Sequence, residues 1–132
     1  MFDKLDHIAV AVKDMHAALA FWKDALGLKV IVDEIVAGGA VRLLHLDGGS
    51  CQIQLVQPLV KEHPITAWLE EHGGGLHHLC FYVDDLDQAL EYAVEEDLVD
   101  KNIKPHQGTE GKRAFFLGQD ASGAVLIEVT GN

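Results

Sequence analysis

The chain has 132 residues, 48% of them hydrophobic, which is the size of one ordinary domain with a core of its own. Its 21 acidic residues outnumber 10 basic ones for a formal net charge of −11, a balance that repels phosphate backbones and argues against nucleic acid. Two cysteines are too few for a disulfide framework, no apolar run reaches the roughly 20 residues of a membrane-spanning helix, and Met1 is followed by fold-like sequence without a basic-then-apolar leader. A cytoplasmic protein that does not bind membranes is expected.

In chain order, a first strand opens at His7 and alternates, with His7, Ala9 and Ala11 on one face and Ile8, Val10 and Val12 on the other. Asp14 is placed to cap a helix whose apolar positions include Met15, Leu19, Phe21 and Trp22, and Gly27 suits the left-handed residue that ends it. Strands are predicted over residues 28–36, 40–46 and 51–56, separated by Gly38-Gly39 and Asp47-Gly48-Gly49. Residues 58–75 contain Pro58, Pro64, an amphipathic stretch anchored on Trp68-Leu69 and then Gly73-Gly74-Gly75, which reads as a connecting helix and a flexible link.

From His78 the pattern starts again. Residues 7–19 align without a gap on residues 78–90, so that Asp85 takes the capping place of Asp14, and Leu86, Leu90, Ala93 and Val94 carry the helical spacing. Strands follow over residues 103–105, 113–117 and 124–130, with a turn from Asp120 to Gly123 before the last. The expected organisation is one α+β domain, 1–132, made of two tandem βαβββ modules, 1–57 and 76–132, joined by 58–75.

The repeat also superposes polar residues. His7 falls on His78, and the last strands, Gln52-Ile-Gln-Leu-Val56 and Leu126-Ile-Glu-Val-Thr130, place Gln54 on Glu128. By alternation all four share a polar front face, opposite an apolar back that belongs against the helices, and polar groups on a partly buried face need a partner. Two imidazoles, an amide oxygen and a carboxylate suit one borderline divalent ion with open coordination positions: cobalt, zinc, nickel, manganese or iron. His77 should point to the opposite face, His45 shares the face of Val41 and Leu43 and reads as apolar-side, and His16, His63, His72 and His106 fall in helices or loops. Cys51 and Cys80 read as small core or cavity residues.

These residues carry a resemblance. The paired βαβββ units, with a ligand on the first and last strand of each, resemble the vicinal oxygen chelate (glyoxalase/bleomycin resistance) superfamily, and within it the chain is similar to the methylmalonyl-CoA epimerases along nearly its whole length. The stretches that match are Asp6-His-Ile-Ala-Val-Ala-Val-Lys-Asp14, Ala25-Leu-Gly-Leu-Lys-Val30, Gln54-Leu-Val-Gln-Pro-Leu59, Gly75-Leu-His-His-Leu79, Val83-Asp-Asp-Leu86 and Val125-Leu-Ile-Glu128. The chain departs from the pattern at Gly118-Gln119-Asp120, where a His-Pro-Lys stretch is common, and at Arg42-Leu43, near a second carboxylate of some members.

The resemblance implies a curved mixed sheet around a metal cavity, with His7, Gln54, His78 and Glu128 as ligands. It further implies an isomerase that epimerises methylmalonyl-CoA or a similar acyl-CoA through a metal-chelated enediolate, with Glu128 as the base that removes the α-proton. Coenzyme A brings phosphates, for which Lys112 and Arg113 are the clearest positive charges, and a homodimer is expected. The competing readings are a glyoxalase I-like lactoylglutathione lyase acting on a thiol adduct and a metal-free small-molecule binding or resistance protein. A dioxygenase is disfavoured, because its iron site takes two histidines and one carboxylate without Gln54.

Overall fold

The computed structural model describes residue 2 and residues 4–132. The chain divides into two compact units, one spanning His7–His77 and the other His78–Asn132 with the N-terminal segment through Asp6. Its elements are β1 (Lys4–Ala11), α1 (Met15–Leu19, continued by a π-helical turn over Ala20–Ala25), β2 (Val30–Val36), β3 (Val41–Asp47), β4 (Gln52–Pro58), α2 (Pro64–His72), β5 (Gly75–Val83), α3 (Leu86–Glu95), β6 (His106–Gln107), β7 (Arg113–Phe116), α4 (Gln119–Ser122) and β8 (Ile127–Gly131). Among the described residues no helix is long and apolar enough to cross a membrane.

In the His7–His77 unit the strand order is β2-β3-β4-β1, antiparallel except for the parallel pair β1 and β4. A parallel pair needs a long crossover, and α1, β2 and β3 provide it. Asp14 starts α1 as expected, its carboxylate accepting from the backbone N–H groups of His16 at 2.9 Å and Ala17 at 3.3 Å. The helix then widens into a π turn, in which Leu26 N–H donates to the Phe21 carbonyl at 3.0 Å, and Gly27 leaves it at φ 77°. One sheet face packs Val10, Leu44, Leu46 and Leu55 against Met15 with Leu19 and Trp22 of the helix. The opposite face carries Ala9, Val41, Leu43 and Val56, partly covered by Ile65 of α2. His63 caps α2 by accepting from Ile65 N–H at 3.1 Å, and the left-handed Gly73 at φ 82° ends it.

The second unit repeats the plan, with strand order β5-β8-β7-β6 and a parallel pair β5 and β8. Val83, Phe115 and Val129 of the sheet pack on Leu86, Ala89 and Ala93 of α3. Burying a side chain such as Phe115 completely is worth about 1.5–3 kcal/mol.

Three local expectations change. His7 and His78 lie inside β1 and β5, each of which begins three residues earlier. The second strand of the second module is not at 103–105 but at His106–Gln107, because Pro105 lacks the N–H that pairing requires. Gln119–Ser122 forms one helical turn, closed by the left-handed Gly123, where only a turn is predicted. Helix α3, which has no glycine to end it, closes at Glu95 with Glu96 as its cap, and Asp97 takes the left-handed φ of 58°.

Candidate metal centre

The strand registers reproduce the internal repeat. In β1 and β4, Ala9 lies opposite Gln54; in β5 and β8, Cys80 lies opposite Glu128. In both units, therefore, the last-strand residue faces the position two beyond the histidine, which puts the two on neighbouring parallel strands with side chains on one face. His7, Gln54 and His78 are buried, and the Glu128 side chain keeps 13% of its surface exposed.

In the second unit the convergence is direct. His78 Nε2 lies 3.4 Å from Glu128 Oε1, long for a charge-assisted hydrogen bond and suited to two donors aimed at one point. The other carboxylate oxygen, Oε2, is 3.3 Å from His106 Nε2. Phe116, opposite Glu128 in register, holds both imidazoles: His78 meets it edge-on with ring centroids 5.4 Å apart, and His106 stacks on it at 5.5 Å. His106 thus stands beside Glu128 rather than in a remote loop. The signal for it was its place next to Pro105, where β6 begins, and alternation could not use a strand of two residues.

In the first unit, His45 is the residue that alternation misread. It does share its face with Val41 and Leu43, but that face carries Ala9 and Val56, not the helix, and so it is the face of His7 and Gln54. The ring is buried, meets His7 edge-on at 5.3 Å, and has Gln52 Oε1 2.6 Å from Nδ1 and Gln54 Nε2 3.0 Å from Nε2. His77 turns elsewhere, packing edge-on against Trp68 at 5.0 Å, while His72 stacks on the same indole at 4.3 Å.

Burial, together with the neighbouring Glu128 carboxylate, pushes the Cys80 thiol far above its ordinary range, so it stays protonated. Of the two candidate phosphate contacts, Lys112 holds its ammonium 5.5 Å over the Tyr82 ring and 3.8 Å from Glu110. Lys4 lies over the same ring at 5.7 Å, so Tyr82, on the His78 face by alternation, gathers two positive charges; Lys4 is not apparent from sequence. Arg113 alternates with Phe115 onto the helix side, where its guanidinium donates to Asp87 of α3 at 3.0 Å, away from the face of Glu128. Near Arg42-Leu43, Glu34 lies opposite Leu43 in register and so shares its face, while the Arg42 guanidinium grips Asp33 with two hydrogen bonds, at 3.0 and 2.8 Å.

Comparison with known proteins identifies the family. The family profile described as Glyoxalase/Bleomycin resistance protein/Dioxygenase superfamily matches residues 6–116. The mitochondrial methylmalonyl-CoA epimerase of Bos taurus is 32% identical over 96% of this chain and 73% of its own length. The ethylmalonyl-CoA/methylmalonyl-CoA epimerase of Cereibacter sphaeroides is 30% identical over 98% of each. Among solved structures, a Streptomyces coelicolor methylmalonyl-CoA epimerase in complex with 2-nitronate-propionyl-CoA superposes with a TM-score of 0.90 at 27% identity, covering 100% of this chain and 99% of that one.

Proposed function

The chain belongs to the glyoxalase/bleomycin resistance protein/dioxygenase superfamily and is an enzyme of the epimerase kind, and from that premise we propose that it is a metal-dependent epimerase of methylmalonyl-CoA or a similar acyl-CoA. The observation that carries this reading is the duplicated register, Ala9 opposite Gln54 and Cys80 opposite Glu128, which gives each unit one imidazole and one oxygen donor on the same face. His7, Gln54, His78 and Glu128 hold one divalent ion in this reading. Two neutral nitrogens, a neutral oxygen and a single negative charge fit cobalt, zinc, nickel or manganese, and leave the ion enough positive charge to attract an anionic substrate. When bound, such an ion polarises the thioester and carboxylate oxygens of the substrate, stabilising the charge left behind as the α-proton departs.

The chain's residues do the rest. Glu128 takes the proton from the carbon between thioester and carboxylate; the C–H electron pair moves toward the thioester oxygen, and return of a proton on the other face gives the second epimer. His106, with Nε2 3.3 Å from Glu128 Oε2, orients the carboxylate from outside the ligand set while leaving Oε1 toward His78. Lys112 and Lys4 about Tyr82 supply the local positive charge that the coenzyme A phosphates need in a protein of net charge −11, whereas Arg113 contributes there only if it leaves Asp87. A homodimer belongs to the same reading, supported by apolar side chains left exposed on β2 and the end of the first helix, among them Phe21, Leu26, Ile31 and Ile35.

Metal analysis of the purified protein, followed by NMR of methylmalonyl-CoA in deuterated water, tests the proposal. Stoichiometric metal and loss of the α-proton signal are expected. Bound metal without exchange would sink the epimerase reading and leave the lyase alternative.

A further inference from the structure

We propose that His45 is a positioning residue, which fixes the Gln54 amide with its oxygen toward the ligand site through a relay running Gln52–His45–Gln54. The inference rests on the reading of Gln54 as an oxygen donor, and deepens it.

The geometry orders the protons. Gln52 Oε1, 2.6 Å from His45 Nδ1, can only accept, so the imidazole proton sits on Nδ1. In the neutral ring the other nitrogen then carries a lone pair. Gln54 presents its amide nitrogen to that lone pair at 3.0 Å and donates to it. With the NH2 end engaged, Gln54 Oε1 is the end turned away from His45. The two ends of a carboxamide have nearly the same shape, so packing alone does not choose between them. The choice matters, because the flipped amide would point N–H donors at a cation. Only the reverse relay, with both amides turned and the proton on Nε2, would satisfy the same three groups, and it would aim Gln54 the wrong way. His45 is 1% exposed, which leaves little room for water to substitute for it, and its edge-on contact with His7 at 5.3 Å ties the ring to the neighbouring nitrogen donor as well.

Partners that orient a ligand are typically worth ten- to a hundredfold in metal affinity when lost. The test is Co(II) titration of the purified protein against a competing chelator, read by visible d–d absorption. His45→Phe keeps an aromatic ring of similar size but removes both ring nitrogens, and should bind cobalt about ten- to a hundredfold more weakly with an altered spectrum. His45→Gln returns an acceptor to Gln54 and should recover most of the loss. Should His45→Phe fail to fold by circular dichroism, Gln52→Leu, which removes only the acceptor at Nδ1, should show the same weakening and spectral change in smaller measure. Cobalt bound equally well and with the same spectrum by wild type and by the folded variant overturns the relay while leaving the metal site standing. Wild-type protein that takes up no cobalt overturns the metal reading, and the relay with it.

Discussion

Glu128 has two tasks in the proposed reaction, and its surroundings bear on both. A carboxylate that holds an ion and also takes a proton must be free to shift, and Glu128, partly exposed at 13% while His7 and His78 are buried, has the room that the imidazoles lack. The neighbouring Cys80 thiol stays protonated and adds no second negative charge. Replacing Glu128 with Gln keeps the shape and one ligating oxygen but removes the base. The variant should retain most of its metal and lose α-proton exchange by about 10²–10⁴-fold, the usual worth of a positioned general base. Deuterium incorporation followed by NMR measures it, and exchange at the full rate would transfer the role to another group.

At the scale of elements, the caps and strand pairs hold the frame in which those residues meet. Asp14 satisfies two N–H groups at the start of α1, so Asp14→Ala should lower the unfolding free energy by about 1 kcal/mol, seen as a reduced urea midpoint with an unchanged slope. The Arg42–Asp33 pair ties β2 to β3, and the Arg42 guanidinium holds the Asp33 carboxyl below its ordinary range. A lowered pKa stabilises the fold above the unfolded value and is lost as the pH falls through the folded one. Asp33→Asn should therefore cost about 0.2–1 kcal/mol at neutral pH, a small amount because the side chain is 42% exposed, and the difference from wild type should close in acid, below the aspartate range. The helices and most strands were legible in the sequence because their signals are local: an aspartate cap, an apolar spacing, a two-residue alternation. His7, Gln54, His78 and Glu128 stood out as candidates because the chain repeats itself. His45 did not, because alternation says which residues share a face but not which face a helix will cover; Val41 and Leu43 looked like the helix side and lie on the other. His106 and Lys4 escaped for a related reason, since β6 is too short to alternate and Lys4 meets Tyr82 from a strand far away in sequence.

For the whole molecule, a bound ion links chemistry to stability. A ligand that binds only the native state adds a free energy that grows with its concentration relative to Kd, about 2.7 kcal/mol at a hundredfold excess. If His7 and Gln54 from one unit and His78 and Glu128 from the other hold the same ion, removing it deprives both parallel strand pairs at once. Chelation should then lower the thermal midpoint by on the order of 10 °C for a chain of this length, and added cobalt or zinc should restore it. Hydrogen exchange separates this from a site confined to one unit: the amides of β1 and β4 and those of β5 and β8 should lose protection together in the chelated protein, and regain it over the same range of metal concentration. Loss in β5 and β8 alone would assign the ion to His78 and Glu128 without His7 and Gln54, and an unchanged midpoint with and without metal would remove the ion from the account of this fold.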